Sequence, residues 1–321
     1  MRRAVSLSLD LDNKWSYLKT HGDPGWQSLP SYLDVAIPRI LEFLRARGLI
    51  ISFFVVGQDA AEPRNAPLLR AIAQAGHEIA NHSFSHEPWL HLYSEQQLDA
   101  ELARAEEAIF AATGVRTTGF RGPGYSLSPT LLAVLVRRGY AYDASVFPNL
   151  LNPLARAYFF ASSRLSAEEK RQRRALFGTW KDALRPAKPF HWGVGNARLL
   201  EIPVTTMPVF KLPMHLSYLV YLAGFSRPLA WLYRKTALAM CTLTGTTPSL
   251  LLHPLDFLGR EDCTDLDFFP GMNLPRDRKL AIVDECLADF TRGREPLTLH
   301  AYARLAAGLR LPTLMAEERL A

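Results

Sequence analysis

Through residue 143 the chain alternates short apolar runs with amphipathic stretches, and nearly every run ends in a residue able to do chemistry. Ala4-Val5-Ser6-Leu7-Ser8-Leu9 alternates as a strand and ends in Asp10 and Asp12. Between Val35 and Arg47, Ile37, Ile40, Leu41 and Leu44 recur at helical spacing, and Gly48 stops the helix. Ile50 to Val56 reads as a buried strand, Asn65 to Ala75 as a helix, and His77 to Ala80 as the strand that delivers His82. Ser94 with Gln97 three residues on is a capping signature for a long helix running to about Thr113. Gly119-Phe120-Arg121 and Tyr140 to Asp143 are further strands, with a helix from Ser128 to Gly139 between them. Strands and helices in this order argue for βα units around a parallel sheet.

In such a sheet the carboxyl ends of the strands share one face, where sites collect. The residues at those ends are Asp10, Asp12, His82, His86, Arg121 and Asp143, and Leu250-Leu251-Leu252 adds His253. His82 and His86, four apart on a strand exit, are spaced to reach one metal ion. By itself a pair of loop histidines is more often two polar side chains than a ligand set. Asp10 and Asp12, two apart on a strand, share a face. Paired carboxylates can divide labour between metal and proton, or simply mark a charged strand end.

The 321 residues, 48% hydrophobic and 21% charged, suit a soluble globular chain of one barrel-sized domain or two smaller ones. The net charge of +6 is uneven, because Arg156 to Lys188 holds nine Lys/Arg against three Asp/Glu. A basic stretch of that kind is either a solvated face or a surface for anionic company. Here the βα rhythm breaks: about 150–196 reads as an insertion dotted with Tyr158, Phe159, Phe160, Phe177 and Trp180. Leu199 to Val204 resumes the strands, and about 213–241 is an apolar helical segment with Arg227, Arg234 and Lys235 behind it. That segment reads as a core helix pair or as an interfacial helix on a membrane. Its longest uncharged run, Leu212 to Ser226, is short for a span of about 20 residues. Asp10 and Asp12 interrupt any apolar signal core, and Cys241, Cys263 and Cys286 form no CxxC. The expectation is a cytoplasmic protein, with peripheral contact at the inner membrane face where the apolar segment is interfacial.

Leu9-Asp10-Leu11-Asp12, His82-Ser83-Phe84-Ser85-His86, Arg121-Gly122-Pro123-Gly124-Tyr125, Asp143 to Phe147 and Leu250 to His253 together resemble the polysaccharide deacetylase family with its NodB-homology domain. They occur in the family's order and span some three quarters of the chain. The first motif resembles the variant with its two Asp separated by one residue. Gly124 follows Pro123 where Tyr is common, and Phe147 stands where Trp is common. The resemblance implies a single domain, 1–321, with an α/β fold: a distorted (β/α) barrel carrying the basic and apolar insertions.

It also implies a divalent metal, most simply Zn2+ with Co2+ or Ni2+ as fits, held by Asp12, His82 and His86. Asp10 would then act as general base on a water of lowered pKa and His253 as general acid on the leaving amine. Arg121 would hold Asp10, Pro123, Gly124 and Tyr125 would shape the oxyanion site, and Asp143 would tune a partner such as His253. The expected reaction is removal of an acetyl group from the nitrogen of an amino sugar in a polysaccharide, glycolipid or other glycoconjugate. A deformylase or cyclic-amide amidase on the same fold, or a catalytically silent glycolipid-binding barrel, are the alternatives. No nucleic-acid recognition motif accompanies the basic stretch, and no such partner is expected.

Overall fold

A computed structural model describes residues 3–163, 165–172 and 180–320. The central strand β1 (Arg3–Asp10) is buried over its last six residues, as expected for a parallel strand covered on both faces. Its alternation has a simple purpose. Val5, Leu7 and Leu9 pack with the helices in the largest apolar cluster. Ser6, Ser8 and Asp10 occupy the opposite face, also buried, where Ser8 accepts a hydrogen bond from Arg121.

Beside β1 lie β2 (Ser52–Val55), β3 (Glu78–Asn81), β4 (Gly119–Phe120) and β5 (Tyr142–Asp143), all parallel and in chain order. Then β6 (Phe190–Val194) and β7 (Ala197–Glu201) form an antiparallel hairpin, with β7 parallel to β5. A two-stranded pair, β8 (Thr206–Met207) with β9 (Leu212–Pro213), stands outside the sheet. On its other flank β1 pairs with β10 (Ser249–Leu252), and it also pairs with β11 (Arg294–Leu297). Finally β12 (Thr313–Met315) pairs with β6. Among the described residues the hydrogen-bonded path therefore runs from β10 to β12 without closing on itself. The expected distorted (β/α) barrel is present as a strongly parallel α/β sheet with an open seam.

Ser94 and Gln97 form the anticipated capping box on the helix Glu95–Thr113, which ends at Gly114 in the left-handed conformation. The region read as an insertion holds a helix, Asn152–Ser162, a short helix, Ala167–Gln172, and all of β6. Strand β6 was hidden because its Phe190/Trp192 alternation directly follows Pro186 and Pro189, which read as loop. Phe177 lies outside the described residues. The apolar segment is two helices, Leu216–Phe225 and Arg227–Thr244, divided at Ser226, whose hydroxyl caps the second. Both face the core through residues such as Leu219, Ala223, Ala237 and Cys241, so the core-pair reading describes one side of each. Among the described residues no helix is long and apolar enough to cross a membrane. The three cysteines are free and buried.

Gly119 shows how tightly the strands carrying the site are set. A Cβ there would fall 2.1 Å from Cζ of Tyr142, a fully buried ring whose hydroxyl donates to Glu78 across the sheet (2.7 Å). Overpacking of this kind costs about 1–3 kcal/mol. Gly119→Ala is expected to lower the unfolding free energy by that amount, read as a lower urea midpoint with an unchanged m value, whereas a midpoint equal to wild type would show that Tyr142 moves freely.

Candidate metal centre and catalytic pocket

The loop after β3 turns sharply. Ser83 and His86 both adopt positive φ, 62° and 51°, a conformation that non-glycine residues accept only when the surroundings impose it. The surroundings do so here. Asn81 accepts from the Ser83 N–H (2.8 Å), and buried Glu101 accepts from the N–H groups of Phe84 and Ser85 (3.0 and 2.6 Å). The turn brings both histidines to Asp12, with His86 Nε2 3.0 Å and His82 Nε2 3.3 Å from Asp12 Oδ1. These three residues offer ligand atoms within 4.8 Å of one another.

His82 is oriented from behind. Its Nδ1 lies 2.7 Å from the Arg121 carbonyl, which fixes the proton on Nδ1 and leaves Nε2 free to coordinate. His86 packs the edge of its ring against Trp15, centroids 6.3 Å apart, and Trp15 is itself held by Asp59 (2.9 Å). Burial alone would raise Asp12, but the neighbouring His86 and His82 overcome it and hold its carboxyl well below the usual range. Burial likewise works against a charged His82, and Asp10 and Asp12 outweigh it to raise that imidazole. A carboxylate beside two imidazoles, one with its tautomer set, is a donor set that fits a divalent ion of the zinc type.

Asp10 stands next to this group, its Oδ2 4.0 Å from His82 Nε2, and its Oδ1 accepts from the guanidinium of Arg121 (2.6 Å). Arg121 is fully buried, donates also to Ser8 and to the Ala144 carbonyl, and lies over the Phe54 ring. Asp143, across the ladder from Glu201, accepts from Ser145, and Ser145 in turn accepts from the Gly122 N–H. Asp143 therefore supports the Arg121–Tyr125 turn.

A cavity of about 470 Å³ receives Asp10, Asp12, His82, His86, Gly124, Tyr125 and His253 along its wall. Arg121, Pro123 and Asp143 are buried behind it. Within the turn expected to shape an oxyanion site, the Tyr125 N–H donates back to the Gly122 carbonyl (3.0 Å), and Gly124 lines the cavity beside it. Gly124 has φ +58°, and an added Cβ would press on Pro88 at 2.9 Å, so glycine is required there.

Several members of the site carried no readable signal. His253 Nδ1 is 3.1 Å from the Ser217 hydroxyl, and its backbone N–H donates to Asp256 (2.8 Å). His215, buried at the start of the helix Leu216–Phe225, faces His253 at 5.7 Å between ring centroids. Burial and then the adjacent His253 hold His215 well below the ordinary histidine range, so it lines the cavity as a neutral imidazole. Glu201 takes N–H groups from Val146 and Trp192. His253 ends a motif, but Ser217, Asp256, His215 and Glu201 sit in none, and the one signal that could have found His215 is a polar residue opening an apolar helix.

Residues 23–142 match the polysaccharide deacetylase family profile. A peptidoglycan deacetylase from Helicobacter pylori is 29% identical over 120 residues, 37% of this chain and 40% of that protein. A peptidoglycan-N-acetylglucosamine deacetylase from Bacillus cereus is 30% identical over 86 residues, 27% of this chain and 30% of that protein. The chain thus spans less than half the length of these curated relatives. Over almost its whole length it shares the fold of a putative polysaccharide deacetylase from Mycobacterium smegmatis, with a TM-score of 0.62, 22% identity, and 97% and 93% of the two chains covered. Fold and matched region together define an α/β protein built on a mainly parallel sheet. Residues 23–142 are thus similar to the polysaccharide deacetylase family in sequence, and the fold of nearly the whole chain agrees with that likeness.

The Asp143–Glu201 pair generates a pH prediction. Burial raises both carboxyls, Asp143 raises Glu201 further while the hydrogen bond with Glu201 lowers Asp143, and the folded protein so retains a proton, chiefly on Glu201, that the unfolded chain releases. With more protons bound when folded, this pair makes stability fall as pH rises above the unfolded carboxyl range near 4. Glu201→Gln removes that dependence. Urea midpoints measured from pH 5 to pH 8 are expected to decline less steeply for Glu201→Gln than for wild type; parallel declines would exclude a shared proton.

Proposed function

We propose that the protein is a metal-dependent hydrolase of carbon–nitrogen bonds that removes the acetyl group from an amino sugar of a polysaccharide, glycolipid or other glycoconjugate. The observation that carries this reading is the gathering of Asp12, His82 and His86 in one cavity with Asp10 and His253. Asp12, His82 and His86 would hold the ion, zinc by donor type, with cobalt or nickel also suited. Such an ion lowers the pKa of water and polarises an amide carbonyl.

The chain's own residues do the rest. Arg121 engages Oδ1 of Asp10, which leaves Oδ2, on the side of the metal ligands, to take a proton from the attacking water. The Gly124 N–H meets the charge that develops on the carbonyl oxygen. His253, with Ser217 at Nδ1, presents Nε2 to the departing nitrogen and protonates it. Tyr125 and Phe147, 4.8 Å apart, form an aromatic wall against which a sugar ring packs. Peripheral contact with an anionic membrane is compatible with this reading and is not required by it.

Elemental analysis of wild type and His82→Ala, with acetate and formate release assayed on N-acylated amino sugars, tests the proposal. About one equivalent of metal is expected in wild type and none in His82→Ala, with activity lost. Asp10→Asn and His253→Ala are expected to keep the metal and lose about 10²–10⁴ in kcat. Wild type without metal or acyl release would overturn the reading, and formate release alone would move the activity to a deformylase.

A further inference from the structure

We infer that the face built by the helix Asn152–Ser162, the Val209–Phe210 turn and the helix pair Leu216–Phe225 and Arg227–Thr244 docks on an anionic phospholipid bilayer, with the cavity opening at its edge. Among the described residues, eleven of the seventeen exposed large apolar side chains lie between Leu150 and Leu243. The pieces are tied to one another. The Leu150 N–H donates to the Lys211 carbonyl (2.9 Å), and the Tyr233 hydroxyl donates to the Pro213 carbonyl (2.7 Å). The Tyr221 ring meets Phe225 edge-on at 4.9 Å.

The helix Arg227–Thr244 is apolar on two opposite sides. Ala230, Ala237, Leu238 and Cys241 pack inward. Leu229, Leu232, Ala239 and Leu243 recur at spacings of three, seven and four on the exposed side, with Trp231 beside them, 54% exposed. A surface helix with a second apolar stripe needs a second apolar medium. Its 18 residues extend about 27 Å, and no described helix qualifies as a span, so it lies along the surface it meets. Aromatic side chains at its rim are suited to the headgroup level.

Charge selects the medium. Residues 150–255 carry fourteen Lys/Arg against four Asp/Glu, and the last acidic residue before Asp256 is Glu201. That excess of ten exceeds the +6 of the whole chain, so the rest of the protein is net acidic. The stretch of sequence that supplies the apolar face is thus net basic although Arg227, Arg234 and Lys235 pair with Glu285 and Asp289, and a net basic stretch is complementary to anionic lipid. Two of the face's residues, Leu154 and Tyr221, also line the cavity mouth, which would let a lipid-linked amino sugar enter while its hydrocarbon stays in the bilayer. Only this last step rests on the deacetylase reading.

The test is sedimentation of full-length protein with vesicles of phosphatidylcholine and phosphatidylglycerol (roughly 7:3) or of phosphatidylcholine alone. The variants are Leu229→Glu/Leu232→Glu and, as a control outside the face, Leu309→Glu, with circular dichroism confirming the fold. Wild type and Leu309→Glu are expected to bind the anionic vesicles, and the double variant to lose at least about tenfold in partitioning. Brominated lipid is expected to quench wild-type fluorescence more than that of Trp231→Phe. Wild type remaining in solution at low salt, or a double variant that binds as wild type does, would overturn the inference. So would a dimer on size exclusion that the double variant dissolves, since a second copy would then cover the face. Acetyl release from a soluble amino-sugar oligomer is expected to be unchanged in the double variant. Its absence in wild type would fault the proposed chemistry and leave the vesicle result standing.

Discussion

Arg121 has no access to water, and its guanidinium reaches from the end of β4 to Asp10 at the end of β1. A buried cation without its anion is costly, commonly 3–5 kcal/mol when one partner of a buried pair is removed. The strands between these two residues are therefore held in the arrangement that lets the pair form. The same residue's carbonyl sets the tautomer of His82, so the side chain positions the prospective base and the backbone positions a prospective ligand. A shift of β4 would disturb both at once. Supporting it, Ser145 joins Gly122 to Asp143, and Asp143 adjoins Glu201 on the neighbouring strand.

The cost of this arrangement appears in the loops. Ser83, His86 and Tyr125 occupy the left-handed region that non-glycine residues rarely accept. Glu101, buried on the helix Glu95–Thr113, takes two backbone N–H groups of the histidine loop and so offsets part of that strain. Asp59 plays a similar part below His86, binding Asn13 and Trp15; burial pushes its carboxyl up to about 7. Polar groups placed this deep specify one geometry because every alternative leaves them unpaired.

Much of this was legible in the chain because strand periodicity and strand ends are local properties. Asp10, Asp12, His82, His86 and Arg121 each follow a short apolar run, and the structure carries all of them to one end of the sheet. What escaped depended on long-range packing. Glu201 looks like an ordinary strand residue until β7 pairs with β5 and sets it beside Asp143. Asp256 and Ser217 acquire meaning only when His253 is seen between them. Strand β6 was masked by Pro186 and Pro189 just before it, and the open seam between β10 and β12 has no counterpart in any sequence period. The apolar segment allowed two readings because each helix has a core side and an exposed side, which a one-dimensional pattern cannot separate.

The cavity divides along the chain. Its polar floor of Asp10, Asp12, His82 and His86 comes from the first hundred residues, with His82 and His86 inside the region matched by the family profile and both aspartates just before it. Its opposite wall, including Phe147, His215, Tyr218, Tyr221 and Phe268, comes from beyond residue 142, where that match ends. Chemistry at an amide needs few groups in fixed places, and a rigid set of strand ends supplies them. Recognition of what carries the amide needs area and shape, and here these come from helices that also face outward. In this chain a substitution in the floor should alter the rate of the step, while one in the wall should alter which molecule reaches it. The two halves meet at His253, which stands on the strand beside β1 yet is oriented by Ser217 from the outward-facing helix pair. The prospective acid is thus a group through which binding along the apolar wall bears directly on proton transfer.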